Sequence, residues 1–327
     1  GPSRFLVKPL PGSTGFLSQI LVATRKGDPH RYILKVGSDI PQRRQWAGAL
    51  RVFERELAAY RLLGPLKEKL SPRLFSGGTA LHGSDGLLRL EFIRDGRNRD
   101  QLLGLTWPEL VSATRAIARI HARFWNSPAL KKAQGLPQHH YMRAHQTRHH
   151  LPGFLRWAKL SANTEKIFRA LPPQVHQALA RLRQRPLTLV HGDLRADNIF
   201  YGRKSVRFID WGLSLAGNAA FDLARLAGGS ARKPLSLIQH VDLFAVWHAE
   251  LLRRGVRNYP LHEAWQDYRD SALLTLTIPV TNAPTLASLS TRGKKLARLI
   301  SRRYLQLWQV LGPGQAKVTR AGLEPVY

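Results

Sequence analysis

The sequence lacks cysteine, contains a single methionine and is poor in acidic residues. The absence of cysteine excludes disulfides, thiolate zinc sites and a cysteine nucleophile. No apolar run approaches the roughly 20 residues that a membrane-spanning helix needs. The first residues, Gly1-Pro2-Ser3, have no apolar signal-peptide core and resemble a tag-cleavage scar, so any native targeting segment is expected to be missing. We expect a cytoplasmic protein, with a membrane-peripheral location as the alternative.

The scarcity of acids gives the chain its charge, because 51 Lys and Arg residues face only 21 Asp and Glu residues and leave a formal net charge of +30. Such a charge favours contact with nucleic acid or an anionic membrane. The basic clusters are nevertheless dispersed, and no known nucleic-acid-binding motif accompanies them. A hydrophobic fraction of 43% is enough for a packed core, which excludes a disordered basic tail.

A length of 327 residues suggests two lobes, and the two parts of the chain differ in their secondary-structure pattern. Residues 1–94 combine β-rich runs with one helix, whereas residues 95–327 are mainly helical. The predicted strands cover 16–24, 31–36, 87–93, 187–190 and 206–209, and the predicted helices cover 42–63, 106–125, 235–254, 260–279 and 288–311. The pattern predicts an α+β protein with a small sheet-rich N-lobe and a larger helical C-lobe.

The segment from Leu189 to Gly212 contains the candidate catalytic and metal-binding residues. Its pattern predicts a strand, a polar loop, a second strand and a polar turn. The first loop supplies His191, Asp193 and Asn198, and the second strand ends at Asp210. Carboxylate and amide oxygens at neighbouring strand ends suit a hard cation such as Mg²⁺. A separate carboxylate is left to orient and deprotonate a hydroxyl nucleophile.

The HGDLRADN and IDWG motifs in this segment resemble the aminoglycoside phosphotransferase and choline kinase-like superfamily. The resemblance implies a bilobal protein-kinase-like fold whose N-lobe sheet is antiparallel, and transfer of the ATP γ-phosphate to a hydroxyl group of a small molecule. It implies that Asp193 is the catalytic base, and it places His191 in the same catalytic loop. It also implies that Asn198 and Asp210 hold Mg²⁺.

The same resemblance predicts a phosphate-anchoring lysine and a paired acid in the N-lobe. Lys35 lies in the middle of an apolar run, where its charge is costly without a partner. The helix that follows offers Glu56 and Glu54. The family's spacing favours Glu56, and Glu54 remains the alternative.

Two further nucleotide contacts are expected in the N-lobe. The turn between the first two strands has glycines that let backbone amides approach phosphates, and it contains Gly12, Ser13 and Gly15. The same residues also suit an ordinary hairpin turn. The hinge that follows the third apolar run is expected at Glu91, Phe92 and Ile93, where the family bonds the nucleotide base through backbone groups.

Details of the C-lobe favour a small-molecule kinase over a protein kinase. The catalytic loop reads HGD, and no A-P-E motif follows Asp210. We interpret His121 and Asp222 as structural residues that brace the catalytic loop. The histidines between 139 and 150 allow a metal site, a polar insert near the substrate or plain surface.

The substrate is expected to be neutral or anionic, because the chain has few acids with which to bind a polycation. An antibiotic-resistance kinase is an alternative. A second alternative is a kinase-fold protein that docks on an anionic membrane or nucleic acid, for which residues 288–311 form a basic amphipathic helix that includes Arg302 and Arg303 on its polar side.

Overall fold

The computed structural model describes residues 5–11, 17–64, 66, 68–80, 83, 85–139, 144–203, 205–312, 316–319 and 322–325. The chain forms two compact units. The first unit comprises Gly1–Asn98, Pro128–Pro137 and Asn198–Leu215, and the second comprises Arg99–Ser127, Gln138–Asp197 and Ala216–Tyr327. The boundary expected between residues 94 and 95 stays a prediction.

A five-stranded antiparallel sheet in the order β1-β2-β3-β5-β4 dominates the first unit. Its strands are β1 (Phe5–Pro9), β2 (Ser18–Arg25), β3 (Arg31–Gly37), β4 (Leu74–Ala80) and β5 (Asp85–Glu91). The β-branched and apolar runs of β2, β3 and β5 were expected as strands. Strand β4 was not predicted, because the Ser-Gly-Gly run at its centre has a low strand propensity. Its pairing with β5 stabilises it as a strand.

The predicted helix over residues 42–63 is two helices, α1 (Pro41–Leu50) and α2 (Val52–Leu63). Arg51 separates them with a left-handed backbone (φ 53°), and its N–H donates to the carbonyl of Gly48 at 2.9 Å. The single-helix prediction was wrong because nothing in the local sequence marks this break. The break lets α2 bury Phe53, Leu57 and Tyr60.

Four short strands lie within or next to the segment from Leu189 to Gly212: β6 (Thr188–Val190), β7 (Ile199–Tyr201), β8 (Val206–Phe208) and β9 (Leu215–Gly217). Strand β6 pairs with β9, and β7 forms an antiparallel hairpin with β8. A single 3₁₀ turn, Ala196–Asn198, leads into β7. The expected strand–loop–strand order is therefore present.

Helices make up most of the second unit. The short helix α4 (Pro128–Lys132) belongs to the first unit. The helices of the second unit are α3 (Trp107–Arg123), α5 (Ala144–Ala158), α6 (Ala162–Arg169), α7 (Leu171–Leu182), α8 (Ala220–Ser230), α9 (Leu237–Arg253), α10 (Leu261–Thr275), α11 (Thr277–Thr281), α12 (Ala283–Leu286) and α13 (Thr291–Leu311). The antiparallel strands β10 (Ala316–Thr319) and β11 (Gly322–Pro325) follow α13.

Helix α3 begins where the sequence predicted. Thr106 and Glu109 form a reciprocal capping box, with the Thr106 N–H donating to Glu109 Oε2 at 2.8 Å. Pro108 occupies the first turn, where its missing N–H costs nothing. The expected apolar stripe is buried, including Leu110 and Ile117.

Helix α13 packs against α8 through small residues. A Cβ added at Gly228 would lie 2.5 Å from Leu307, and one at Gly229 would lie 2.8 Å from the Tyr304 hydroxyl. The expectation of a uniformly solvated basic face on α13 was wrong at Arg303, which is buried, whereas Arg302 is exposed. In the described part of the chain, no helix has the length and apolar character to cross a membrane.

Candidate active site

Lys35 is a buried cation at the centre of the sheet in the first unit. It lies on β3 between Ile20 of β2 and Leu88 of β5. Its Nζ lies 2.6 Å from Glu56 Oε2 and 2.7 Å from Asp210 Oδ1. Burial alone would lower the pKa of Lys35, but the two carboxylates outweigh it and hold that pKa above its usual range. Lys35 is therefore charged and fixed by two acids.

The structure pairs Lys35 with Glu56 and not with Glu54. Glu56 is fully buried on α2. Burial raises the pKa of Glu56 to about 7, against the opposing effect of the Lys35 charge. Glu54 instead forms an ion pair with Arg51 at the start of α2. Of the two acids left open by the sequence, Glu56 has the geometry of the lysine partner.

Asp210 follows β8 in a left-handed backbone conformation (φ 62°), which aspartate tolerates better than most residues. Its side chain is 43% exposed although Lys35 beside it is only 5% exposed. Two residues later, Gly212 allows a close approach to α2, since an added Cβ would lie 2.6 Å from Val52. The Asp-Trp-Gly turn thus places a partly open carboxylate next to the buried lysine.

Asn198 lies at the same end of the β7–β8 hairpin as Asp210. Its backbone carbonyl accepts the Ile209 N–H at 3.0 Å, one residue before Asp210. Asn198 is 4% exposed. The expected metal-binding pair therefore shares one hairpin end, and its amide and carboxylate oxygens are donors of the type that Mg²⁺ prefers.

The expected hinge residues follow the sheet. Glu91 is the last residue of β5, and its Oε1 accepts Arg207 Nη1 at 2.7 Å. Phe92 comes next, with the Arg31 guanidinium 5.5 Å from its ring centroid, and Ile93 follows. The phosphate-loop residues expected at Gly12, Ser13 and Gly15 lie outside the described residues.

Asp193 in the second unit is held between two guanidinium groups. Its Oδ1 contacts Arg225 Nη2, and its Oδ2 accepts Arg195 Nε at 3.1 Å. Burial would raise the pKa of Asp193, but Arg195 and Arg225 outweigh it and lower that pKa to about 2. Asp193 is therefore ionised at neutral pH. Arg225 also contacts the hydroxyl of Tyr304 on α13.

The start of the catalytic loop is braced by Asp222 of α8. Its two carboxylate oxygens accept the backbone N–H groups of His191 at 2.7 Å and Gly192 at 2.9 Å. His121 Nε2 lies 3.2 Å from Asp222 Oδ2. These contacts fit the interpretation of His121 and Asp222 as residues that brace the loop. The fully buried His191 accepts the Asp193 N–H through Nδ1 at 3.3 Å, and its expected catalytic role stays a prediction.

The end of the loop is held by residues that the sequence did not reveal. The Ala196 N–H donates to Gln101 Oε1 at 2.8 Å and to Ser230 Oγ at 3.0 Å. The Gln101 N–H donates to Asp197 Oδ1 at 2.9 Å. Only the tertiary fold brings Gln101 here. Arg225 carried a weak signal, because it lies three residues after Asp222, about one helical turn away.

Comparison with models of protein families shows the family to which this chain belongs. Residues 7–266 match the model of the phosphotransferase enzyme family. The chain therefore belongs to this family, which confirms the predicted class: a small-molecule kinase that phosphorylates a hydroxyl group. No curated protein is similar enough to count as a match.

Solved structures confirm the predicted α+β protein-kinase-like fold. Choline kinase from Cryptosporidium parvum Iowa II is 15% identical, with coverage of 94% of this chain and 90% of that chain and a TM-score of 0.61. Plasmodium vivax ethanolamine kinase is 14% identical, with coverage of 94% and 84% and a TM-score of 0.58. A spectinomycin phosphotransferase solved with ADP and spectinomycin is 14% identical, with coverage of 93% and 92% and a TM-score of 0.50. At these identities the likeness concerns the fold.

Proposed function

We propose that this protein is an ATP-dependent, Mg²⁺-requiring O-phosphotransferase whose substrate is a neutral or anionic small molecule with a hydroxyl group. The observation that carries the proposal is Lys35 held 2.6 Å from Glu56 and 2.7 Å from Asp210. A buried ion pair is often no more stabilising than an apolar replacement of similar size, so the presence of this one favours a role in binding a ligand. In phosphoryl transfer such a lysine anchors nucleotide phosphates.

The residues at the end of the β7–β8 hairpin fit a magnesium ion. Asp210 keeps a partly open carboxylate, and Asn198 adds an amide oxygen donor. When bound, the metal ion would neutralise phosphate charge, which is the main requirement of phosphoryl transfer. Asp210 would serve both this ion and Lys35.

Asp193 would accept the proton of the substrate hydroxyl. At a pKa of about 2 its carboxylate is a weak base, so it would first orient the hydroxyl as a hydrogen-bond acceptor. The hydroxyl proton would pass to Asp193 as the oxygen bonds to the γ-phosphorus and ADP leaves. Arg195 and Arg225 would keep this carboxylate ionised until the transfer occurs.

The proposed neutral or anionic character of the substrate rests on how the acids of the second unit are used. Arg181 binds Asp270, Arg185 binds Asp267 and Glu263, and Arg253 binds Glu250, at distances between 2.6 and 3.0 Å. These pairs leave few carboxylates for a polycationic substrate, which disfavours an aminoglycoside.

The test is a phosphorylation screen of a hydroxyl-metabolite library with Mg²⁺ and ATP, read by mass spectrometry. We expect a phosphorylated product that Asp193→Asn and Lys35→Met abolish, with thermal stability measured for each. The matched control is Asp242→Asn, which changes an exposed acid on α9 and should retain activity. Activity retained by Asp193→Asn would contradict the assignment of the base.

The alternative function is docking on an anionic surface. The exposed Lys294, Lys295, Arg298 and Arg302 of α13 favour it. It predicts salt-sensitive binding to RNA or anionic vesicles without phosphorylation of any library member. The expected cytoplasmic or membrane-peripheral location stays a prediction.

A further inference from the structure

Arg303 on α13 is a buried cation without a carboxylate partner among the described side chains. It is 8% exposed, and its Nη1 donates to the backbone carbonyls of Gln101 at 3.0 Å and Gly229 at 3.1 Å. Carbonyl groups satisfy hydrogen bonds but do not neutralise a positive charge. A buried charge without a counter-charge is costly. This position therefore suits an anion supplied from outside the chain.

The Arg303 side chain lines a narrow recess of about 20 Å³ beside α8. Lys233, Gln306 and His240 also line it, and the described lining contains no carboxylate. Nδ1 of His240 lies 2.9 Å from the Tyr268 hydroxyl, so a proton on its other nitrogen would be available to a ligand. The recess admits about one small group, and its mainly apolar lining includes the two cations together with the hydrogen-bonding side chains of His240 and Gln306.

A larger groove of about 320 Å³ shares part of the wall of this recess, including Ala231, Lys233 and Leu235. Trp107 and Leu110 of α3 add apolar surface to its lining, which also contains Thr106, Arg232 and Gln239. The volume falls in the range of small-molecule sites, which extends from about 300 to 1,000 Å³. The two cavities thus place a basic end next to an aromatic and aliphatic wall.

We propose that the recess and the groove together bind a small apolar molecule that carries one anionic group. The anionic group lies against Arg303 and Lys233, and the apolar body lies along Trp107 and Leu110. The residues proposed for catalysis do not line either cavity, so this site is separate from the one proposed for phosphoryl transfer. The charge of Arg303 and the apolar groove wall determine the class of ligand.

The test measures direct binding of 4-phenylbutyrate to the full-length protein by isothermal titration calorimetry at constant ionic strength. The neutral 4-phenylbutanol and the cationic 4-phenylbutylamine serve as matched probes. We expect saturable one-to-one binding of the carboxylate, with at least tenfold weaker binding of the alcohol, a ratio that corresponds to about 1.4 kcal/mol. The amine is expected to bind more weakly still.

Variants locate the site. Arg303→Met and Lys233→Gln should each weaken 4-phenylbutyrate binding by tenfold or more, and Trp107→Ala should weaken all the probes that bind. Arg302→Met changes the exposed neighbour on α13 and should leave binding unchanged. If Arg303→Met fails to fold, as judged by circular dichroism, Lys233→Gln still decides the question because Lys233 is exposed.

Equal affinity for the acid and the alcohol would overturn the proposal, as would equal effects of Arg302→Met and Arg303→Met. Asp193→Asn provides the link to the proposed function. Retained 4-phenylbutyrate binding in this variant shows that the cavity acts independently of catalysis. Loss of binding in a folded Asp193→Asn protein would contradict the proposed location.

Discussion

Replacing Arg225 by methionine removes one of the two guanidinium groups that contact Asp193. The other, Arg195, remains 3.1 Å from the same carboxylate. The substitution also takes away the cation that contacts the Tyr304 hydroxyl. Because Asp193 and Tyr304 are both largely buried, neither group regains full hydration. We expect Arg225→Met to destabilise the protein.

The lowered pKa of Asp193 gives the size of the electrostatic contribution to this destabilisation. The difference between the ordinary 3.8 and about 2 corresponds to roughly 2.4 kcal/mol at 1.36 kcal/mol per pKa unit. Because burial opposes Arg225 and Arg195, the two cations together contribute more than this net figure, and loss of Arg225 removes at least about half of it. A buried hydroxyl left without its partner costs about 1–3 kcal/mol more. The expected loss in the free energy of unfolding is about 2–4 kcal/mol at pH 7.

The electrostatic part should depend on pH. The low pKa of folded Asp193 stabilises the protein above the pKa of the unfolded state, near 3.8, and this stabilisation disappears as pH falls towards 2. The difference between wild type and Arg225→Met should therefore be constant from pH 7 to 5. It should shrink as pH falls towards 2, because Asp193 of the folded wild type becomes protonated only near that pH.

Urea denaturation at pH 7, 5, 3 and 2 measures these differences. Arg225→Lys keeps a positive charge and should recover part of the loss, whereas Arg302→Met on the exposed side of α13 should cost little. A difference that stays constant down to pH 2 would refute the reasoning, because Arg225 would then not act through the charge of Asp193.

Three further predictions concern single sites. Glu56→Gln should lower kcat/KM for ATP by roughly tenfold to a hundredfold, as expected for loss of a charged hydrogen bond, whereas Glu54→Gln should change it less than about twofold in the same assay. Burial lowers the pKa of His240 to about 3, so wild type should lose up to about 1.4 kcal/mol per pH unit below pH 6.5 in urea denaturation, and His240→Asn should lack this loss. Gly228→Ala should destabilise the α8–α13 contact by about 1–3 kcal/mol, with Gly78→Ala, which meets no atom within 4 Å, as the control in thermal unfolding.

The local sequence was sufficient to predict the two ends of the candidate site. An apolar run around Lys35 and a strand that ends at Asp210 are patterns within single elements, and the structure joins the two side chains at 2.7 Å. Family spacing selected Glu56 before any geometry was available. The capping box of α3 was accessible for the same reason, since it depends on neighbouring residues, whereas β4 was missed because its place depends on pairing with another strand.

Other features depend on contacts between distant parts of the chain. Gln101 holds Ala196 across 95 residues, and Tyr304 reaches Arg225 across 79. Arg303 belongs to a basic run and lies on the polar side of a helical wheel, yet α8 covers it. The break at Arg51 has no local marker either. No periodicity within one element encodes such contacts.

The ion pairs give acids and bases of this chain unequal mutational tolerance. Most of the acidic side chains in the described ranges are tied to an arginine, a lysine or a histidine, as Asp270 is to Arg181. Because 51 basic residues share only 21 acids, loss of an acid removes an ion pair more often than loss of a base does. In a library of all single substitutions, neutralising an acid should reduce the abundance of folded protein far more often than neutralising a base.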